Sequence, residues 1–389
     1  MNSKAASVVD RKIKARDLIN HYLLSGGSMM YWRKPGSDER LLLVCNSGAT
    51  THEDITLENA EPGFAIAPFD PSQKKYFFKA EQLFRFKGET LTETPDADIP
   101  ELDRSKNTND QIHSKFFVAA GEQKSVGNFS DLINGCIQQA QLQQVEKIVP
   151  SKFHETELPE GVDPLAIFNR LCEKHPMAFV SLVSSPDTGT WLGASPELLV
   201  SVDAHDQFKT VALAGTQKMQ ADVPPKSVSW TQKEIEEQAL VSRYIINCFK
   251  KIRVREYTEH GPHTVVAGSL LHLQTEYKVD MREVNFPQMG SVMLKLLHPT
   301  SAVCGMPFQP AFDFLKKNEG YDRELYSGYW GPVNIDGESN LFVNLRCMQV
   351  LEKKVRIYAG AGITADSVAE QEAAEIEMKI KSLAQLINL

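Results

Sequence analysis

The sequence predicts an α+β protein. Three observations carry this. Helix-period segments alternate unevenly with strand-period segments. The strands come as hairpin-like pairs, not as single strands separated by crossover helices. Their alternating pattern suits antiparallel sheets better than a buried parallel one. The chain has 389 residues, enough for two modest domains or one large composite one.

Taken in order, LLLVCN (41–46) and KKYFFKA (74–80) read as strands. The stretch 92–110 is rich in Thr, Pro, Asp and Asn and reads as a loop or boundary. The run from Asp131, DLINGCIQQAQLQQ, is helix-like. VEKIVPSKF is a strand broken by Pro150. A helix opens at Asp163, an N-cap residue. AFVSLVSS and WLGASPELLVSV form a hairpin, and FKTVALAGT a further strand. Residues 233–251 form the clearest helix. HTVVAGSLLHLQTEY returns to strand pattern, and 286–297 is helical up to Pro299. LFVNLRCMQVLEKKVRIYAGAGI reads as two strands joined around Glu352–Lys353, before a C-terminal helix in which Ser367 and Glu370 match a capping box.

Lys and Arg total 42 against 50 acidic residues, a net charge of -8. No long basic block is present, which argues against a nucleic-acid partner. No stretch approaches the length of a membrane span. The N-terminal segment is charged and unlike a signal peptide. The six cysteines, at 45, 136, 172, 248, 304 and 347, show no metal or redox spacing and read as buried free thiols. A cytoplasmic enzyme or binding protein is expected.

Two acidic pairs have helical spacing: Glu234 with Glu237 in KEIEEQALV, and Glu372 with Glu375 in AEQEAAEIEMK. Residues three apart share a helix face. Two readings stand at this point. One is a pair of solvated acidic first turns favoured by the helix dipole. The other is a Mg2+ site, since Mg2+ takes oxygen ligands and often only one or two carboxylates beside an anionic substrate.

Six further segments stand in order: GASPELL (193–199), LAGT (213–216), LHPTSAVCGMP (297–307), RELYSGYWG (323–331), FVNLRC (342–347) and YAGAGIT with SVAEQEAAEIEMK (358–379). As a set they resemble the chorismate-utilising enzymes, the family of isochorismate, salicylate, anthranilate and aminodeoxychorismate synthases. The resemblance covers most of residues 140–389. It implies two similar halves with stacked antiparallel sheets, outer helices and a cleft between them. Residues 1–120 are then the N-terminal part of the α+β body, and 121–389 the chorismate-binding catalytic region.

The resemblance also implies roles. Glu197 matches the family's general acid, which protonates the departing C4 hydroxyl and needs a raised pKa. Lys147 in KIVPSK matches the lysine base of the water-using members, although Pro150 and Lys152 depart from the usual pattern. Such a lysine acts as a base only if desolvation or a cationic neighbour lowers its pKa. Ala302 stands where ammonia-using members carry threonine. Together with Lys147 it points to hydroxylation, and no glutaminase partner is expected. Arg346 matches an anion-binding arginine, His272 a histidine beside the ring, and Tyr326 and Tyr358 hydroxyl donors to the enolpyruvyl end. Ala214, Gly215, Thr216, Gly360 and Gly362 line the approach of main-chain N–H groups to the substrate carboxylates. Glu237 and Glu375 would hold Mg2+ directly, with Glu234 and Glu372 on its waters. Gln238 replaces the histidine usual after the first metal glutamate, which is expected to loosen the metal. The implied reaction is isochorismate formation, for menaquinone or siderophore synthesis. Salicylate synthase is the nearest alternative, and an ammonia-using synthase a weaker one. One chain's cleft suffices, so a monomer is adequate.

Overall fold

The protein, in a computed structural model, is described over residues 13–94, 129–159, 163–219, 224–267 and 270–387. Two nine-stranded antiparallel sheets form its centre. The first runs, edge to edge, through Thr90–Glu93, Gln82–Lys87, Glu39–Cys45, Ser28–Arg33, Phe179–Ser185, Gly189–Ser195, Cys347–Val350, Lys354–Gly360 and Ser151–Glu157. The second runs through Thr258–Ala267, Leu270–Asp280, Gln207–Lys218, Leu198–Val202, Ser339–Val343, Tyr329–Val333, Gly63–Ala67, Lys75–Lys79 and Thr50–His52. A two-stranded ladder, Lys147–Ile148 with Gly305–Met306, stands apart.

The side-chain period of two explains the layers. In Ser28–Arg33, Met30 and Trp32 point between the sheets, while Met29 and Tyr31 point outward under the helices. Both faces are covered, so all six residues of that strand are buried. The outer face of the first sheet packs against Ala15–Ser25, Phe129–Gln141, Pro164–Lys174 and Ala369–Ala384. The outer face of the second packs against Gln232–Lys251 and Met289–Leu297. Helix Pro164–Lys174 shows the energetics. Leu165, Ile167, Phe168 and Leu171 are out of water, worth roughly 1.5–3 kcal/mol each before entropy. All six cysteines are buried and free.

Most expected elements form. VEKIVPSKF splits at Pro150 into Lys147–Ile148 and Ser151–Glu157. Three expectations are corrected. WLGASPELLVSV is not one strand: the chain leaves the first sheet after Ser195, turns at Pro196 and Glu197, and enters the second at Leu198. Pro196 has no N–H to continue the ladder. LFVNLRCMQV likewise crosses between sheets at 344–346, where Arg346 has φ +47°. The region up to Ile363 therefore holds three strands rather than two. Ser367 does not cap the last helix. Its Oγ accepts the Thr364 N–H at 3.2 Å, the N-cap is Val368, and Glu370 is exposed. Thr92 and Glu93 end a strand, while the rest of the expected 92–110 loop after residue 94, and the 120/121 boundary, lie outside the described residues.

Asp163 caps its helix as expected, accepting the Leu165 N–H at 2.9 Å, with Pro164 in the first turn. Asp163→Ala should cost about 0.5–2 kcal/mol in urea unfolding, with an unchanged m-value. An unchanged midpoint would show that the cap contributes nothing.

Candidate active site

Every residue that the sequence singled out as a candidate lines one cavity of about 340 Å³. Its walls come from both sheets, from the ladder strand Lys147–Ile148, from the N-terminal turns of the helix Gln232–Lys251, and from the helix Ala369–Ala384 along most of its length, Glu372 to Leu383.

The two crossovers supply two walls. Glu197 sits in the first and Arg346 in the second. The Val343 N–H donates to the Glu197 carbonyl at 3.0 Å, the Ala194 N–H to the Arg346 carbonyl at 3.2 Å, and the Ser195 hydroxyl to the Val343 carbonyl at 2.5 Å. Glu197 is buried, and the Thr300 hydroxyl donates to its carboxylate at 3.3 Å. Burial pushes its pKa up to about 7, against the opposing pull of Thr300 and of the Lys147 charge.

Lys147 is buried and pairs with the Glu237 carboxylate at 2.7 Å. Desolvation pushes the Glu237 carboxyl up, but the Lys147 charge and hydrogen bond, with Lys379 and Lys233 nearby, outweigh it and hold its pKa below the usual value. An anion therefore faces Lys147, not the cation or bare apolar wall expected for a base. Space at this pair depends on Gly362: a Cβ there would stand 2.4 Å from Lys147 Cε and 3.0 Å from Glu237 Oε1. The departures around Lys147 fall outside the cavity. Lys152 pairs with Glu377 and lies 5.3 Å over the Phe129 ring. The Pro150 carbonyl accepts the Ala361 N–H at 3.2 Å.

His272 is neutral, and its tautomer follows from its partners. A carbonyl only accepts, so Nδ1 donates to Gly215 O at 3.0 Å; guanidinium only donates, so Nε2 accepts from Arg346 Nη2 at 2.8 Å. Burial and the Arg346 charge push its pKa down to about 3. Burial also lowers the Arg346 pKa to about 10. Gly215, φ +70°, forms a bulge between Ala214 and Thr216 and leaves the ladder register. Ala302 lines the cavity beside Val303.

Tyr326 and Tyr358 part company. Their rings stack with centroids 5.1 Å apart, and Trp191 stacks on Tyr358 from the other side at 5.4 Å. The Tyr326 hydroxyl lies beside Gly360, where a Cβ would be 3.1 Å away. The Tyr358 hydroxyl instead donates to Gln349 Oε1 at 3.1 Å, so it is turned away from the cavity and does not serve as a donor there.

Each of three acids in the proposed metal set carries a lysine. Lys147 pairs with Glu237, Lys233 with Glu372 at 2.6 Å, and Lys379 with Glu375 at 2.7 Å. Lys379 also donates to Gly360 O at 3.0 Å. Glu234 forms the capping box of its helix, accepting the Thr231 N–H at 2.7 Å, and takes a bond from Gln217 at 2.8 Å. Lys233 and Thr300 were missed, and Lys379 was given no role in the site. Only Lys379 left a signal, four residues after Glu375. Gln238 is buried and donates to Ala212 O at 3.1 Å and Thr275 Oγ1 at 3.0 Å. The donor chemistry fits a hard divalent cation: carboxylates only, with ammonium groups already balancing them. Among the described residues, no three acidic, His or Cys groups converge as a ready-made metal cluster.

The family model for the chorismate binding enzyme matches residues 73–388. The chain belongs to that family. The isochorismate synthase EntC of Escherichia coli is 28% identical over 251 residues, which span 63% of each chain. The vibriobactin-specific isochorismate synthase of Vibrio cholerae is 25% identical over 326 residues, 82% of this chain and 78% of the relative. The solved menaquinone-specific isochorismate synthase MenF of Escherichia coli superposes with a TM-score of 0.74 at 20% identity, covering 95% of this chain and 91% of that one. These likenesses support the expected fold of stacked antiparallel sheets with outer helices. Among the described residues, no helix is long and apolar enough to cross a membrane.

The raised Glu197 pKa makes a stability prediction. A carboxyl near 7 in the fold and near 4.5 unfolded binds more protons folded, so its contribution is full below pH 4.5 and is lost as pH rises through 7. Glu197→Gln, neutral throughout, should therefore be more stable than the parent at pH 8, by up to about 3 kcal/mol. The difference should fade toward pH 4.5. Parallel stability–pH curves would overturn the assignment.

Proposed function

We propose that the protein is an isochorismate synthase, converting chorismate reversibly to isochorismate. The observation that carries this is the presence of Lys147 and Glu197 in the lining of one cavity, the first paired with Glu237, the second buried with its pKa pushed up to about 7. Isochorismate synthases among the relatives support the reading.

In this reading water adds at C2 of the ring and gives a proton to Lys147 Nζ. The ring double bonds shift, the C4–O bond breaks, and Glu197 protonates the departing hydroxyl. Glu197 suits the task because it holds its proton up to about pH 7. Lys147 accepts a proton only after its pair with Glu237 opens and its own proton has passed to bulk water. Arg346 binds a substrate carboxylate and keeps His272 oriented. Ala302 leaves room for water beside the ring, where threonine would add bulk and a competing hydrogen-bond partner. Glu237 and Glu375 would hold Mg2+, with Glu372 and Glu234 on its waters. When bound, that ion supplies positive charge that neutralises and orients the ring carboxylate. The protein is read as cytoplasmic and self-sufficient, requiring no glutaminase, nucleic acid or membrane.

The test is incubation with chorismate and Mg2+, with products identified by mass. Isochorismate is expected; salicylate with pyruvate would assign the sequential elimination, and no turnover would reject the reading. Activity should fall above about pH 7 as Glu197 loses its proton. Lys147→Ala should lower kcat by about 10²–10⁴, while remaining folded. Glu375→Ala should abolish the Mg2+ response, whereas Glu370→Ala, at an exposed position outside the cavity, should change stability by less than about 0.5 kcal/mol and leave the response intact. Equal damage from both would mean that the wrong acid has been placed on the metal.

A further inference from the structure

We propose that Arg323, held by Glu319, is a positioning residue that locks the Lys147 strand and the Thr300–Cys304 loop into one register. Its guanidinium is buried and makes contacts to three walls of the cavity. Nη2 donates to Val149 O at 2.7 Å, two residues after Lys147. Nη1 donates to Val303 O at 2.8 Å, one residue after Ala302. Its centre lies 5.9 Å from the Tyr326 ring, and 4.1 Å from Phe69 on the far side.

Glu319 completes the clamp. It takes the Arg323 Nε–H at 2.8 Å and an Nη2 bond, and accepts the Ser151 N–H at 2.7 Å and the Ser151 hydroxyl at 2.8 Å. Ser151 bonds the Tyr321 hydroxyl in turn at 2.6 Å. One backbone bond joins the same two segments, the Val149 N–H donating to Cys304 O at 2.9 Å, and the second segment is closed on itself by the Cys304 N–H donating to Thr300 O at 3.0 Å. Arg323, Glu319 and Ser151 do not line the cavity. Yet one segment carries Lys147 and the other carries Ala302 and the Thr300 hydroxyl that reaches Glu197. The pair therefore fixes the base side against the acid side. Arg323 makes four bonds with its five planar donors, two to the carboxylate and one to each carbonyl, and the three donors of an ammonium cannot make all four.

This rests on the proposed function for its kinetic arm alone. Two variants test it: Arg323→Lys, and the double variant Glu319→Gln/Arg323→Met, which leaves no lone buried charge if the first does not fold. Amide exchange is read without substrate. Protection should fall together at Ile148, Val149, Val303 and Cys304, with the sheets unchanged. Loss in neither segment, or in one only, overturns the coupling whether or not chorismate is turned over. In the kinetic arm, kcat should drop about 10²-fold with KM within threefold. The alkaline limb of kcat/KM should move to higher pH, because Thr300 and Lys147 both lower the Glu197 pKa and both shift away. A lower Tm with parental kcat and an unmoved limb would make Arg323 merely structural and overturn the proposal. A parent inactive on chorismate would reject the proposed function and leave the exchange result to decide this one.

Discussion

The site depends on one constraint: of the four passages that the described chain makes between the two sheets, the two at 196–197 and 344–346 lie side by side. Gly189–Ser195 neighbours Cys347–Val350 in the first sheet, and Leu198–Val202 neighbours Ser339–Val343 in the second. The links between them, at 196–197 and 344–346, are therefore forced together. Each passage breaks a ladder, and each freed backbone group must find a partner. They find each other, through Val343 N to Glu197 O and Ala194 N to Arg346 O. A carboxylate and a guanidinium thus stand on rigid, mutually bonded backbone at the mouth of the gap between sheets. Side chains that leave regular strands there have no ladder neighbours to pack against, and the cavity opens where they point.

Environment then separates residues of the same type. Glu197 and Glu237 face one cavity, yet their carboxyls move in opposite directions. Burial shifts Glu197 from 4.5 to about 7, roughly 3 kcal/mol. A charge pair at 4 Å contributes about 4 kcal/mol at the effective dielectric of a partly screened site. At 2.7 Å from Glu237 the Lys147 ammonium outweighs desolvation; Glu197 receives no hydrogen bond from it, only weaker attraction, and burial prevails. One lysine thereby holds one glutamate charged and leaves another protonated, which is the division of roles that acid–base chemistry needs.

Much of this was legible in the sequence. The element order, the break at Pro150, the Asp163 cap and the convergence of distant motifs on one cavity follow from local pattern and from resemblance. The crossovers were not legible. Apolar residues continue through WLGASPELLV and LFVNLRCMQV because both sheets bury both faces, so hydrophobic period cannot tell one long strand from two. Pro196 was the available signal in the first case. In the second, the turn rests on Arg346 in left-handed conformation, which no residue type in NLR announces. Ser367 illustrates a different limit. The spacing to Glu370 satisfied a capping box, but the tighter turn from Thr364 claimed the hydroxyl first. The pairing of Lys233 with Glu372 spans 139 residues, beyond the reach of any spacing rule.

Two polar residues near the chemistry turn their polar ends away from it, and this shapes what the cavity offers. Gln238 ties Ala212 to Thr275 and so braces the strands behind Gly215. Tyr358 commits its hydroxyl to Gln349, itself held by Glu324 at 2.8 Å, and presents only the ring to Tyr326. A hydroxyl left loose under Tyr326 would need a partner or cost a desolvated group. With that hydroxyl removed, the Trp191–Tyr358–Tyr326 stack is a stiff apolar support whose one polar end in the cavity is the Tyr326 oxygen beside Gly360. The opposite walls carry the charges: Arg346, Lys147 and the paired acids. The substrate proposed above, a ring bearing carboxylates at its edges, would meet a rigid apolar wall on one side and charged groups on the other. The carboxylates need not be gathered beforehand for this to work. Lysines pair with three of them, Glu237, Glu372 and Glu375, so each of these carboxylates faces an ammonium group.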